Sequence, residues 1–255
     1  GSLGEASPYY IITIRFTIAF ILLSLIYFRK FKLIDKKNIR GGIIIGIFLF
    51  LGFAAQTVGM KYTTAGKNAF LTGTYVVMVP FLNWIIKKKF PGIKSILAGF
   101  ITLIGIGLLT ISGKLLLGKG DLLTLLCALF FAVQIIAIEY YARGCDPILL
   151  TIVQLGTAAL LSFICAVSFE TAPHNINKDF VLQMGYLSIF STTIAAVIQN
   201  VAQKYTASTH AALIMSLESV FGSIFSVLIL GELFTHNMVI GCILIFSAIV
   251  ISEIN

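Results

Sequence analysis

Charge is what this sequence has least of. Lys, Arg, Asp and Glu make up 11% of its 255 residues, while 58% are hydrophobic. Groups so sparse cannot cover the surface of a water-soluble globule, and the solvent for most of the chain is therefore lipid. Acids are scarcer still, 10 against 18 basic residues, for a net charge of +8. That excess does not point to nucleic acid, because the Lys and Arg residues collect in short segments between apolar runs instead of along one face. The four cysteines, Cys127, Cys145, Cys165 and Cys242, are widely separated and three sit inside apolar runs, so neither a CxxC metal pattern nor a disulfide framework is visible and packing roles are expected. His174, His210 and His236 lie in or beside loops with no HExxH and no carboxylate at ligand spacing, so no metal site or cofactor is expected. A GxxxxGK[ST] loop is also lacking, and ATP-driven transport by this chain alone is unsupported.

What the chain does have is long uncharged runs. A bilayer core of about 30 Å takes about 20 apolar residues of helix, and lipid tolerates no open backbone, so each run reads as one spanning helix. Nine are predicted, at 8–28, 41–60, 68–86, 95–113, 122–141, 147–169, 180–203, 211–230 and 237–252. Twelve cationic residues fall on one side, most of them in the segments 29–40 and 87–94, and five on the other. Basic loops stay in the cytoplasm, which predicts a cytoplasmic C-terminus in a multi-pass plasma-membrane protein. Abundant Ile, Lys and Asn hint at a bacterial source.

The runs are organised by an internal repeat. QTVGMKYTTAGKNAFL from Gln56 matches QNVAQKYTASTHAALI from Gln199 at an offset of 143 residues, pairing Lys61 with Lys204 and Tyr62 with Tyr205. SPYYIITIRFTIAFILL from Ser7 likewise resembles DPILLTIVQLGTAALLS from Asp146, which pairs Arg15 with Gln154, and Gly99 answers Gly241. The sixth to ninth spans are then second copies of the first to fourth, and the fifth has no copy. Residues 1–113 form one repeat of four helices and 114–255 a second of five. Five helices per repeat set the two copies in opposite orientations, the arrangement that secondary transporters use for alternating access. The intended architecture is an all-α membrane protein of five plus five helices, with the first helix missing here.

Several segments carry a family resemblance: PYYIITIRF at the start of the first span, AFLTGTYVVMVPFLNW with Pro80, GDLLTLLCALFFAVQ from Gly120, and SLESVFGSIFSVLILGE ending at Glu232. In this order they resemble the EamA-type members of the drug/metabolite transporter superfamily, over nearly the whole chain. The resemblance implies a ten-helix inverted-repeat fold and export of metabolites such as amino acids. Two features depart from the pattern: the first helix is lacking, and Lys88 and Lys89 replace the glycine-glutamate pair at the end of the third span.

Charge inside lipid is costly, so intramembrane ionisable groups are read first as functional. Glu218, seven residues past Ala211 and so about 10 Å deep, must face protein or a wet cavity. It is either a proton-coupling or substrate-amine site, since burial raises a carboxyl pKa into a range where protonation can alternate, or a fixed hydrogen-bonded strut. Arg15 either attracts a substrate carboxylate or snorkels to the interface. The neutral candidates are Gln56, Tyr75 and Asn83 in the first repeat and Gln134, Gln154, Gln199 and Asn200 in the second. Tyr75 and Asn83 share a helical face, and Tyr75 aligns with Glu218 through the repeat. Interhelical hydrogen bonds account for the Gln and Asn residues equally well. Ala212, Ser216, Ser219, Ser223 and Ser226 form a small-residue seam suited to close packing, as do Gly99, Gly105 and Gly107. Pro80 is expected to kink its helix, Glu232 to cap one, and Trp84, Tyr140 and Tyr141 to sit in the interfacial belt.

These readings favour a secondary transporter of small metabolites, with a small molecule and protons as partners, lipid around it, and a homodimer compatible with the fold. An uptake permease or passive facilitator of the same fold is the alternative. An integral membrane enzyme would cluster acids at depth, yet Asp35, Asp121, Asp146 and Asp179 fall in loops or at helix ends. A channel would need a ring of charge or a filter loop, and none appears.

Overall fold

The computed structural model describes residues 8–88, 90–110, 118–171, 178–230 and 235–253, and every regular element among them is a helix. In chain order they are α1 (Pro8–Ile26), a 3-10 segment (Phe28–Leu33), α2 (Lys36–Met60), α3 (Ala65–Gly73), α4 (Tyr75–Lys87), α5 (Ile93–Thr110), α6 (Lys119–Ala142), α7 (Pro147–Phe169), α8 (Lys178–Tyr186), a π-helix (Leu187–Ile194), α9 (Ala195–Gln203), α10 (Ser208–Met215), α11 (Leu217–Leu230) and α12 (His236–Glu253). Seven stretches are long and apolar enough to cross a membrane: α1, α2, α3 with α4, α5, α6, α7, and α8 through α9. The two remaining expected spans correspond to α10 with α11 and to the shorter α12. The end of the fourth expected span, Lys89, Lys114, His174 and Glu232 lie outside the described residues.

Residues Gly1–Thr57 and Ala137–Tyr205 form one compact unit, Val58–Ile136 and Thr206–Asn255 a second. The boundaries fall inside α2 and α6, so each unit draws helices from both sequence repeats.

In the first unit α1 packs along α7, its own repeat copy, and the two ends of the pair are tied. Glu170, at the C-terminal end of α7, accepts hydrogen bonds from the backbone N–H groups of Tyr9 (2.9 Å) and Tyr10 (3.2 Å) at the start of α1. Those N–H groups have no partner inside their own helix, and a carboxylate there also meets the positive end of the helix dipole. Beyond the other end of α1, Lys30 forms an ion pair with Asp146. Asp146 is itself the N-cap of α7, accepting from Ile148 N at 2.8 Å, with Pro147 at the first helical position. The copies therefore run antiparallel. Behind them α2 presses on α7: a Cβ on Gly42 would lie 2.4 Å from Val153, and one on Gly46 2.6 Å from the Gln154 carbonyl.

The same antiparallel pairing recurs in the second unit. α5 crosses α12, its copy, where Gly105 abuts Ile245 and Gly241 abuts Leu109, the crossed pattern of opposed helices. Gly99, the repeat counterpart of Gly241, lies against the backbone of α4 at the Val76 carbonyl. That carbonyl is the one whose helical donor Pro80 removes. Tyr75, Val76, Val79, Ala98, Ala132 and Leu213 join one apolar core.

Two breaks refine the expected spans. The third is interrupted at Thr74, six residues before Pro80, where the Thr74 hydroxyl donates to the Leu71 carbonyl at 2.6 Å. The eighth is interrupted at Ser216, whose hydroxyl donates to the Leu213 carbonyl at 2.5 Å. In each case the hydroxyl and the backbone N–H of one residue donate to the same carbonyl three residues back, closing a tight turn at the break. Under the repeat offset the two breaks coincide within one residue.

Candidate functional site

The second unit brings Tyr75 and Glu218 together. Each occupies the first turn of the half-helix that follows a break, Tyr75 opening α4 and Glu218 in α11. Thr74 lies nine residues into its span and Ser216 eight into its own, about 14 and 12 Å along the axis, close to the middle of a 30 Å hydrocarbon core. Tyr75 is buried in the core, whereas Glu218 is exposed. Along α4 from Asn83 back to Tyr75, the facing positions run forward from Ser208 to Glu218, again antiparallel. Asn83 donates to the Ser208 hydroxyl at 2.6 Å, and its Oδ1 has no hydrogen-bond partner. Gln134, buried on α6, likewise has an unpartnered Nε2.

In the first unit Arg15 sits half-buried on α1, seven residues past Pro8 and so about 10 Å into the span. Its Nε donates to the Thr192 hydroxyl, and its Nη2 to the Ser191 carbonyl at 3.2 Å and hydroxyl at 3.1 Å. The guanidinium also lies 4.8 Å from the centre of the Phe53 ring. Both Ser191 and Thr192 belong to the π-helix, where the hydroxyls of Thr192 and Thr193 donate to carbonyls five residues back, at 2.9 and 2.7 Å. A π turn widens the helix and re-aims the backbone, and such turns recur at functional positions.

Gln154, the repeat counterpart of Arg15, is fully buried on α7. Its Oε1 accepts from Asn200 Nδ2 at 3.0 Å, and Asn200 also donates to the Ala196 carbonyl at 2.9 Å. Gln154 Nε2 and Asn200 Oδ1 have no hydrogen-bond partner. Gln56 and Gln199 are both half-buried.

Three polar groups of note escaped the sequence reading. Ser191 and Thr192 looked like ordinary small residues, because only the π turn aims them at Arg15. Glu139 lies inside α6, 2% exposed, bonded to Arg143 at 2.7 Å; the four-residue spacing of the pair was the available signal. Asp121, assigned to a helix end, is indeed in the first turn of α6 but is buried, holding the Thr63 hydroxyl, the Gly118 N–H at 2.8 Å and, at 3.9 Å, the Lys67 ammonium. Trp84 is exposed near the end of α4 with its ring edge-on to Phe90, as an interfacial anchor would be.

Comparison with known proteins follows this geometry. The profile of the EamA-like transporter family matches twice, over residues 2–111 and 118–253. A protein of Archaeoglobus fulgidus described as an uncharacterized transporter is 36% identical over 253 residues, covering 98% of this chain and 78% of its own. A second uncharacterized transporter of that organism is 29% identical over 126 residues, 49% of this chain and 44% of its own. One crystal structure superposes with a TM-score of 0.83 over 99% of this chain and 89% of the other at 16% identity, a likeness of fold.

Proposed function

This chain belongs to the EamA-like transporter family, within the drug/metabolite transporter superfamily, and from that premise we propose that it is a secondary active transporter exporting small metabolites such as amino acids. It works by alternating access in a bacterial plasma membrane, with its C-terminus in the cytoplasm and a proton carried by Glu218.

One observation supports the reading above the rest: paired mid-membrane breaks at Thr74 and Ser216, each followed within two residues by a polar side chain, Tyr75 and Glu218. Interrupted helices near the bilayer midplane are how secondary transporters expose backbone and side-chain groups to a substrate. An exposed carboxylate at that depth is too costly against lipid, so Glu218 borders a water-filled space. Tyr75, fixed in the apolar core, opens the facing half-helix at the corresponding position of the first repeat, and gain and loss of a proton on Glu218 give the cycle two states that differ in charge. Within the second unit Asn83 and Gln134 are the further candidates for polar contact with cargo; within the first, the candidates are Arg15, Gln56, Gln154, Gln199 and Asn200.

Counterflow of a labelled amino-acid and metabolite panel in proteoliposomes tests the proposal. Saturable exchange against an opposing gradient, steep in pH for the wild type and flat for Glu218→Gln, is the expected result. Equal pH dependence in both proteins removes Glu218 from the coupling role, uniform non-saturating leak replaces the carrier with a passive pore, and silence across the panel withdraws the cargo class.

A further inference from the structure

The start of α2 carries a groove that the transport reading does not use. Lys36 and Arg40, one helical turn apart, line it together with Ile39, Ile43 and Ile44, and its volume is about 460 Å³. Ile39, Ile43 and Ile47 are all exposed and follow one another at four-residue spacing, so an apolar stripe leads from the two cations down the helix into the span. The opposite face is committed: Asn38, Gly41, Ile45 and Leu49 are buried, with Gly41 against Tyr141 and Leu150, while Gly42 and Gly46 at the flank lie against α7, which leaves the groove facing outward. Lys37 is turned toward Gly144 and leaves the groove to its two neighbours. Among the described residues neither Lys36 nor Arg40 is held in an ion pair.

We propose that this groove is a binding site for one anionic phospholipid, its phosphate held by Lys36 and Arg40 and one acyl chain laid along Ile39, Ile43 and Ile47. The chemistry is complementary at both ends. A guanidinium takes two phosphate oxygens at once, and an ammonium one turn earlier adds a second charge at the same height. The apolar stripe begins just below them, where an acyl chain leaves the headgroup. A free phosphate satisfies the cations but makes no use of the apolar stripe, and a neutral zwitterionic lipid lies along the stripe but brings no net charge. The side of the membrane is consistent, because segment 29–40 lies on the cation-rich face, where anionic lipid is concentrated.

Native mass spectrometry of the full chain in detergent micelles tests the site, with phosphatidylglycerol, phosphatidylcholine of the same chains, and inorganic phosphate as separate probes. The expected result is retention of one phosphatidylglycerol, weaker retention of phosphatidylcholine and none of phosphate. In Lys36→Ala/Arg40→Ala, affinity for phosphatidylglycerol falls on the order of 20-fold, the effect of two surface cations, while Arg29→Ala/Lys32→Ala, which removes the same charge nearby, changes it little. Both pairs are exposed, and an unchanged melting temperature verifies that each variant is folded. Equal retention by the wild type and Lys36→Ala/Arg40→Ala overturns the proposal, as does equal loss in both double variants. Displacement of the lipid by phosphate alone reduces the groove to an anion site, and a dimer peak abolished by Lys36→Ala/Arg40→Ala assigns the groove to a second copy of the chain; either result also overturns it.

Discussion

The Glu170 carboxylate, at the C-terminal end of α7, caps the backbone N–H of Tyr9 at the start of α1 at 2.9 Å. The first helix of one repeat is thereby sealed by the end of its own copy, which only an inverted pair allows. Replacing Glu170 by Ala removes the acceptor for two otherwise unpaired N–H groups and is expected to cost about 1 kcal/mol, with Glu170→Gln intermediate because it keeps an acceptor but loses the charge. Thermal unfolding in detergent measures this. A wild-type melting temperature for Glu170→Ala would mean that water caps α1 as well as the carboxylate does.

Asp146 at the opposite end gives the clamp a pH dependence. Burial works against its ionisation, but the hydrogen bond from Lys30 and those from Ile148 and Leu149 N–H outweigh it and hold the carboxyl below its usual range. A carboxyl whose folded value is depressed adds stability that is complete above its unfolded value, about 4, and disappears as pH falls through the folded value. Asp146→Asn keeps an N-cap and loses the charge. Wild type is therefore expected to melt above Asp146→Asn at neutral pH, with the gap closing as the pH is lowered below about 4. A gap that is constant with pH would assign the difference to cap geometry alone.

At the α5–α12 crossing, a methyl added to Gly241 would stand 2.8 Å from the Gly105 carbonyl and 3.0 Å from Leu109. Backbone cannot rotate away as a side chain can, so Gly241→Ala must push the helices apart, at an expected cost of about 1–3 kcal/mol. Gly222, with nothing within 4 Å of an added methyl, is the control, and Gly222→Ala is expected to be neutral or stabilising. Equal melting temperatures for the two variants would show that the crossing is looser than its geometry.

The buried Gln154–Asn200 pair makes one hydrogen bond to each other and leaves a donor and an acceptor over. Gln154→Leu alone leaves Asn200 with only its bond to the Ala196 carbonyl and is expected to destabilise by about 1–3 kcal/mol. Adding Asn200→Leu should recover part of that loss, since an apolar pair of similar size leaves no stranded side-chain amide. Additive losses in this double-mutant cycle would show that the two amides act independently.

The sequence by itself determined the lipid solvent and the all-helical fold, and it carries an internal repeat. Uncharged runs of about 20 residues admit only helices in lipid, and a 143-residue offset ties the halves together regardless of how they pack. It also singled out Arg15, Gln154, Tyr75 and Glu218, because ionisable and amide groups stand out against an apolar background. What it could not supply were the features set by backbone geometry and by neighbours distant in sequence. Pro80 signals a kink, since proline is visible in a sequence, but the break falls six residues earlier at Thr74, where a hydroxyl bonding its own helix gives no such signal. Ser191 and Thr192 became partners of Arg15 only through a π turn, and Gly241 met Gly105 because helix crossings are chosen by the fit of whole surfaces. Tertiary structure decided these points for one physical reason: in a chain this apolar, many helix faces are equally willing to be buried, and only close packing selects which of them meet.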